Sequence, residues 1–200
     1  MFGLPPSTSL SRPLPKSAVY EKFGFKNAER EAFDRDISRM TIVAWVSPKT
    51  VPAIEVGAEV QDFYVVHITM KRREYNAKHL LHLTKLIPQR MVFALQFGDE
   101  TQFCVFHTRL QQSEWMPMDN AVLTLQGLSL DDVWNNLVAE IGGLDNASEE
   151  TLEEQIIHRE EREKLLQQIA SLEKRCRAEK QTRKKYELHQ QISKLKKLII

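Results

Sequence analysis

The last quarter of this chain, residues 148–200, contains neither glycine nor proline, and that run limits the fold more than any other feature. A charged segment of this length, punctuated by Leu and Ile and free of breakers, reads as helix. If it were continuous from residue 149 to 199 it would be about 75 Å long, whereas the remainder of the chain makes a domain with a radius of gyration near ~14 Å. The helix therefore outruns its own domain or folds back. Leu165, Ile169, Leu172 and Cys176 form one apolar seam, and Leu188, Ile192, Leu195 and Ile199 form a second. On a straight helix these seams lie roughly 140° apart and cannot bury against one straight partner. Either the helix bends between Cys176 and Leu188 into a helical hairpin, or its halves meet different surfaces.

Charge divides the same segment. Glu149, Glu150, Glu153, Glu154, Glu160, Glu161 and Glu163 make its start acidic against Arg159 and Arg162 alone. From Lys164 onward the balance reverses, most densely at Lys174, Arg175, Arg177, Lys180, Arg183, Lys184 and Lys185. The formal net charge of +1 thus hides a polarised molecule. Three readings compete for the basic stretch. It is a solvated face, or a non-specific phosphate contact through residues such as Lys174, Arg177, Lys180 and Lys184, or a mate for an acidic helix such as residues 149–163 of a second copy. Nothing in the sequence marks base-specific recognition.

With 42% hydrophobic content over its 200 residues, the chain suits one compact domain plus an appendage. No apolar run approaches the length of a membrane span, and residues 1–16, broken by Pro5, Pro6, Pro13 and Pro15, lack the apolar stretch of a secretory signal. A cytoplasmic protein without membrane association is expected. Two cysteines, Cys104 and Cys176, form neither a disulfide framework nor a metal motif.

The pattern along the chain predicts an extended arm over 1–16, an α/β or α+β domain over 17–143, a linker over 144–147 and the charged helical region over 148–200. Within the domain, helices are expected at 18–23, 27–37 (capped by Asn27), 75–87 and 130–141. Strands are expected at 40–46, 60–71, 91–97, 102–110 and 121–125. The stretch 60–71 is apolar on both faces, which places it inside a sheet. The loop 98–101 reads as a hairpin. Ser129 and Asp132 form a capping box ahead of the stripe Leu130, Val133, Trp134, Leu137, Val138 and Ile141. The fold expected is a mixed sheet with flanking helices, followed by a long charged helix or hairpin.

Motifs of nucleotide, zinc peptidase and serine hydrolase chemistry are absent from the sequence. His79 and His82 are spaced to share a metal but lack a third ligand at a recognisable spacing. His67 and His107 fall in expected strands without a paired nucleophile. Asp62 and Lys71 bracket a strand, as in metal-dependent nucleases that place an acid on one strand and acid-x-lysine on the next. The corresponding slot here is Thr69-Met70-Lys71, which has no carboxylate. No cofactor and no metal are expected.

The opening Met1-Phe2-Gly3-Leu4-Pro5, the passage Ile87-Pro88 into Met91-Val92-Phe93-Ala94-Leu95, the Glu114-Trp115-Met116 segment, and Arg177-Ala178-Glu179-Lys180-Gln181 with Arg183-Lys184-Lys185 together resemble the prokaryotic domain of unknown function 4391 family. The resemblance spans nearly the whole length and implies no catalytic residue. It does imply a context, gene clusters encoding helicases and DNA methyltransferases of the restriction or phage-defence kind. The expectation is a non-catalytic accessory subunit whose basic helix, through Lys174, Arg177, Lys180, Arg183, Lys184 and Lys185, contacts a protein partner or nucleic acid. The alternatives are a nuclease-like enzyme built on Asp62 and Lys71, and a self-associating scaffold or homodimer joined through the C-terminal helix.

Overall fold

In the computed structural model, which describes residues 1–146 and 148–198, the chain divides into two compact units, Met1–Ser148 and Glu149–Ile200. The first is built on a seven-stranded mixed sheet: β1 Ser9–Pro13, β2 Ile37–Val46, β3 Phe63–Met70, β4 Arg90–Phe97, β5 Glu100–Phe106, β6 Leu110–Gln112 and β7 Met116–Pro117. The order is β1-β2-β3-β4-β5-β6, with β7 also on β5. The β3–β4 pair is parallel and the others are antiparallel. Helices α1 Lys16–Phe23, α2 Asn27–Asp36, α3 Lys78–Thr84 and α4 Leu130–Gly142 flank the sheet. The expected mixed-sheet α/β class is what the chain adopts.

Alternation along the strands makes two apolar faces. Met40, Ile42, Val66, Ile68, Met70, Phe93 and Leu95 share a buried core with Val19, Phe33, Leu80 and Leu83 of the first three helices. The opposite face of β3 presents Phe63, whose ring meets Trp134 of α4 edge-on at 5.6 Å. Phe2 completes that face against Phe103 at 5.5 Å. A central strand covered on both sides explains why both faces of β3 are largely apolar.

Several elements differ from the sequence expectation. The amino-terminal arm joins the sheet, since β1 pairs with β2 and Phe2 and Leu4 are buried. No ladder forms at residues 121–125. Ala121 and Leu123 are buried and Val122 is exposed, as a strand would have them, but Leu123 meets Phe2 through one backbone bond of 3.0 Å. Gly3 permits that approach, because its φ is +69° and a Cβ would stand 2.5 Å from Val122 Cγ1. Asn27 is the first helical residue rather than the cap. Lys26 precedes it, and its N–H donates to the Glu29 carboxylate at 2.8 Å. The expected helix over 75–87 shortens to α3 because Asn76 Oδ1 accepts from the Lys78 N–H at 3.0 Å, and Tyr75 turns its hydroxyl to Gln102 Oε1 at 2.8 Å. The strand expected over 102–110 ends at Phe106 and returns as β6. The loop before it tightens to Gly98-Asp99, with Phe97 opposite Glu100.

The second unit is a hairpin of α5 Leu152–Ala178 and α6 Thr182–Lys196. The break at residues 179–181 contains no glycine or proline; Glu179 leaves the helical region at ψ 128° and its carboxylate accepts the Gln181 N–H at 2.8 Å. The bend brings the two seams together. Ile169, Cys176 and Ile192 are buried, with Leu172, Leu188 and Leu195 packed on them. Ile199, expected at the end of the second seam, lies outside the described residues.

Candidate functional site

Asp62 and Lys71 stand just beyond opposite ends of β3. Nine residues of extended chain put them about 30 Å apart, too far to share a cation. Asp62 accepts a hydrogen bond from Trp45 Nε1 at 2.9 Å, while the Lys71 N–H bonds Asp36 O at 2.8 Å. Thr69, in the slot where a nuclease would carry its second acid, lies between Arg39 and Gln96 in the sheet register.

The histidines are held by structural partners. His67 Nε2 lies 2.8 Å from Gln96 Oε1; burial pushes its pKa down, opposed by that bond. Trp134 Nε1 donates to His107 Nδ1 at 3.4 Å. His79 is buried between Phe33, at 5.0 Å between ring centres, and the buried Asp36, with Nε2 to Oδ2 at 3.3 Å. Burial lowers its pKa and the Asp36 charge opposes the shift. His82 packs instead on Phe23 and Phe25. Among the described residues no group of three or more His, Cys, Asp and Glu side chains is placed to hold a metal ion.

Asp36 organises a neighbourhood that the sequence pattern does not reveal. It accepts the Asn76 N–H at 3.0 Å and draws Arg72 to 3.8 Å and Arg35 to 3.9 Å. The run Lys71-Arg72-Arg73 directly after a strand is the one signal of it in the sequence. Arg73 turns away to Glu100 at 3.3 Å and lies over the Trp115 ring.

Positive charge is most concentrated at the hairpin tip. Lys174, Arg175 and Arg177 close α5, Lys180 sits in the bend, and Arg183, Lys184 and Lys185 open α6; all are exposed. The neighbouring carboxylates are already engaged. Glu173 holds Lys196 at 2.8 Å, which keeps its pKa below the usual value, Glu179 caps Gln181, and Glu187 reaches Arg183 at 3.4 Å. Tyr186, 64% exposed, adds an aromatic ring to the same segment. Cations in the first turn of α6 oppose the helix dipole, so local helix stability does not account for them. Such an arrangement can neutralise an anionic surface.

Residues 2–199 match the family described as domain of unknown function DUF4391. The chain belongs to the DUF4391 family. That match covers both the sheet unit and the hairpin of this DUF4391 protein. The chain matches no curated protein and no solved structure. No helix among the described residues is long and apolar enough to cross a membrane.

Proposed function

We propose that this DUF4391 protein is a non-catalytic, cytoplasmic accessory subunit of a DNA-modification or phage-defence assembly, and that its hairpin tip contacts nucleic-acid phosphates. One observation carries the reading: the bend at residues 179–181 folds two basic runs into a single exposed tip where Glu173 holds Lys196, Glu179 holds the Gln181 N–H, and Glu187 pairs the tip cation Arg183. Like charges gathered in this way repel one another, and phosphates relieve that repulsion while releasing condensed counterions. Contact of this kind positions a protein on nucleic acid without reading bases. Sequence selection and catalysis then belong to a larger partner, a helicase or DNA methyltransferase in the context the family resemblance implies, which the sheet unit docks.

The test replaces Lys180, Arg183 and Lys184 by Gln, which keeps helix propensity nearly intact. Duplex binding should weaken for every sequence, and the log–log salt slope should fall by about 0.9 for each phosphate that is no longer neutralised. An unchanged affinity and slope would remove the phosphate reading. Purified protein should also leave DNA and RNA uncut with Mg²⁺ or Mn²⁺. Cleavage that Asp62→Ala or Lys71→Ala abolishes would restore the nuclease alternative.

A further inference from the structure

Ile157 of α5 is 44% exposed, and its four neighbours on the helix surface, three and four residues away in either direction, are Glu153, Glu154, Glu160 and Glu161. Glu154 caps Thr151 and Glu160 holds Lys164 at 2.8 Å, so the ring keeps a net negative charge around an apolar knob, which suits a hole edged by cations. The same unit contains such a hole. Between α5 and α6 lies a cleft of about 540 Å³ floored by Cys176 and Ile192 and rimmed by Arg177, Lys185, His189 and Lys196. The Glu173 carboxylate, which also lines it, is bound to Lys196 at 2.8 Å.

Knob and cleft cannot meet within one molecule. Ile157 and Cys176 lie nineteen residues apart on the same helix, about 28 Å along its axis. We propose that Ile157 of one copy seats in the α5–α6 cleft of a second copy, with Glu153 and Glu161 facing Arg177 and Lys185. Apolar surface is then covered at the centre and opposite charges meet around it, the anatomy of a protein interface. The helix phase sets the symmetry. From Ile157 to Glu173 and Arg177 the helix turns through roughly 160° and 200°, so knob and cleft face opposite sides of α5. A contact of that kind is head-to-tail, and it closes into a ring or extends as a chain instead of making a two-fold dimer. It shares Arg177 and Lys185 with the basic tip, whereas Ile157 belongs to this contact alone and Lys180, Arg183 and Lys184 to the phosphate contact alone.

Sedimentation velocity of the full-length protein tests this. Wild-type protein should associate as concentration rises, and less so at high salt. Ile157→Lys keeps helix propensity at an exposed position while removing the knob, and should sediment as a monomer where the wild type associates. The paired rim variant Lys185→Glu with His189→Glu should do the same. Mixed together, the two variants should form a complex of two copies and stop there, because one retains only the cleft and the other only the knob. Unchanged thermal transitions by circular dichroism establish that both are folded. A wild type that stays monomeric to sub-millimolar concentration, an Ile157→Lys variant that associates as well as the wild type, or a mixture that forms no heterodimer would each overturn the proposal. Loss of duplex binding in the Lys180, Arg183, Lys184 variant would leave this association in place, so the two readings fail separately.

Discussion

The Asp131 carboxylate occupies the space that a side chain at Gly57 would need. It stands there to accept three successive backbone N–H groups, Ala58 at 2.7 Å, Glu59 at 3.2 Å and Val60 at 2.8 Å. The residues that lead into β3 are thereby tied to the first turn of α4, where a negative charge also suits the helix dipole. A Cβ at Gly57 would also meet the Asp131 backbone nitrogen at 2.8 Å, which a rotamer change cannot relieve. Gly57→Ala should therefore cost about 1–3 kcal/mol as an overpacked site. In a chain of this size that lowers Tm by roughly 2–4 °C per kcal/mol.

The same clasp depends on pH with a definite sign. Hydrogen bonds from Val60 first, then Ala58 and Glu59, hold the Asp131 pKa below its ordinary 3.8. Its contribution is thus complete above that value and is lost as pH falls below it. Asp131→Asn should lower Tm at neutral pH and narrow its gap to the wild type as acid is added, which a thermal melt series checks.

A second titration lies in the α2–α3 layer. Burial is the larger influence on His79 and lowers its pKa from 6.5, with Asp36 opposing. The neutral ring is favoured in the folded state, so this stability is present above about pH 6.5 and declines as pH falls. The charged and titratable groups around it are Asp36, His82 and, through Asp36, Arg35 and Arg72. Between pH 7.5 and 5, His79→Gln should show a smaller drop in Tm than the wild type. A drop of equal size would assign the acid sensitivity elsewhere.

What can be read from the sequence follows the range of the interactions. Helix α4 is legible because its start is encoded within four residues. The Asp132 N–H bonds Ser129 Oγ at 3.2 Å and its carboxylate accepts the Ser129 N–H at 3.0 Å, followed by an apolar stripe at helical period. Strand β3 is legible from its doubly apolar face. Strand β1 is not, since all five of its residues are exposed and its conformation comes from the edge of β2. The Asp36 neighbourhood is hidden for the same reason, as its bond to Asn76 spans forty residues. Asp62 and Lys71 share a strand in the sequence, but the strand's own length separates them. The hairpin is half legible. Two out-of-phase seams require a bend or two partners, and the break at Glu179 decides between them without a glycine or proline to announce it.

Compactness of each unit gives the last prediction. The buried side chains of the first unit come from β2 to β5 and from α1 to α4, all within residues 1–148, whereas the cluster between the hairpin's helices contains, among the described residues, Ile169, Cys176, Ile192 and three partly buried leucines. A chain ending at Ser148 should therefore keep a cooperative thermal transition. In the full-length protein, Ile192→Ala removes a side chain that is 6% exposed from a six-residue seam and should cost at least about 2 kcal/mol, the low end for such truncations. Because so small a seam has little else to hold it, hydrogen exchange should accelerate across residues 165–196 while β3 and β4 keep their protection. Equal acceleration in the sheet, or a truncated chain that melts without cooperativity, would show that the first unit depends on the hairpin for its stability.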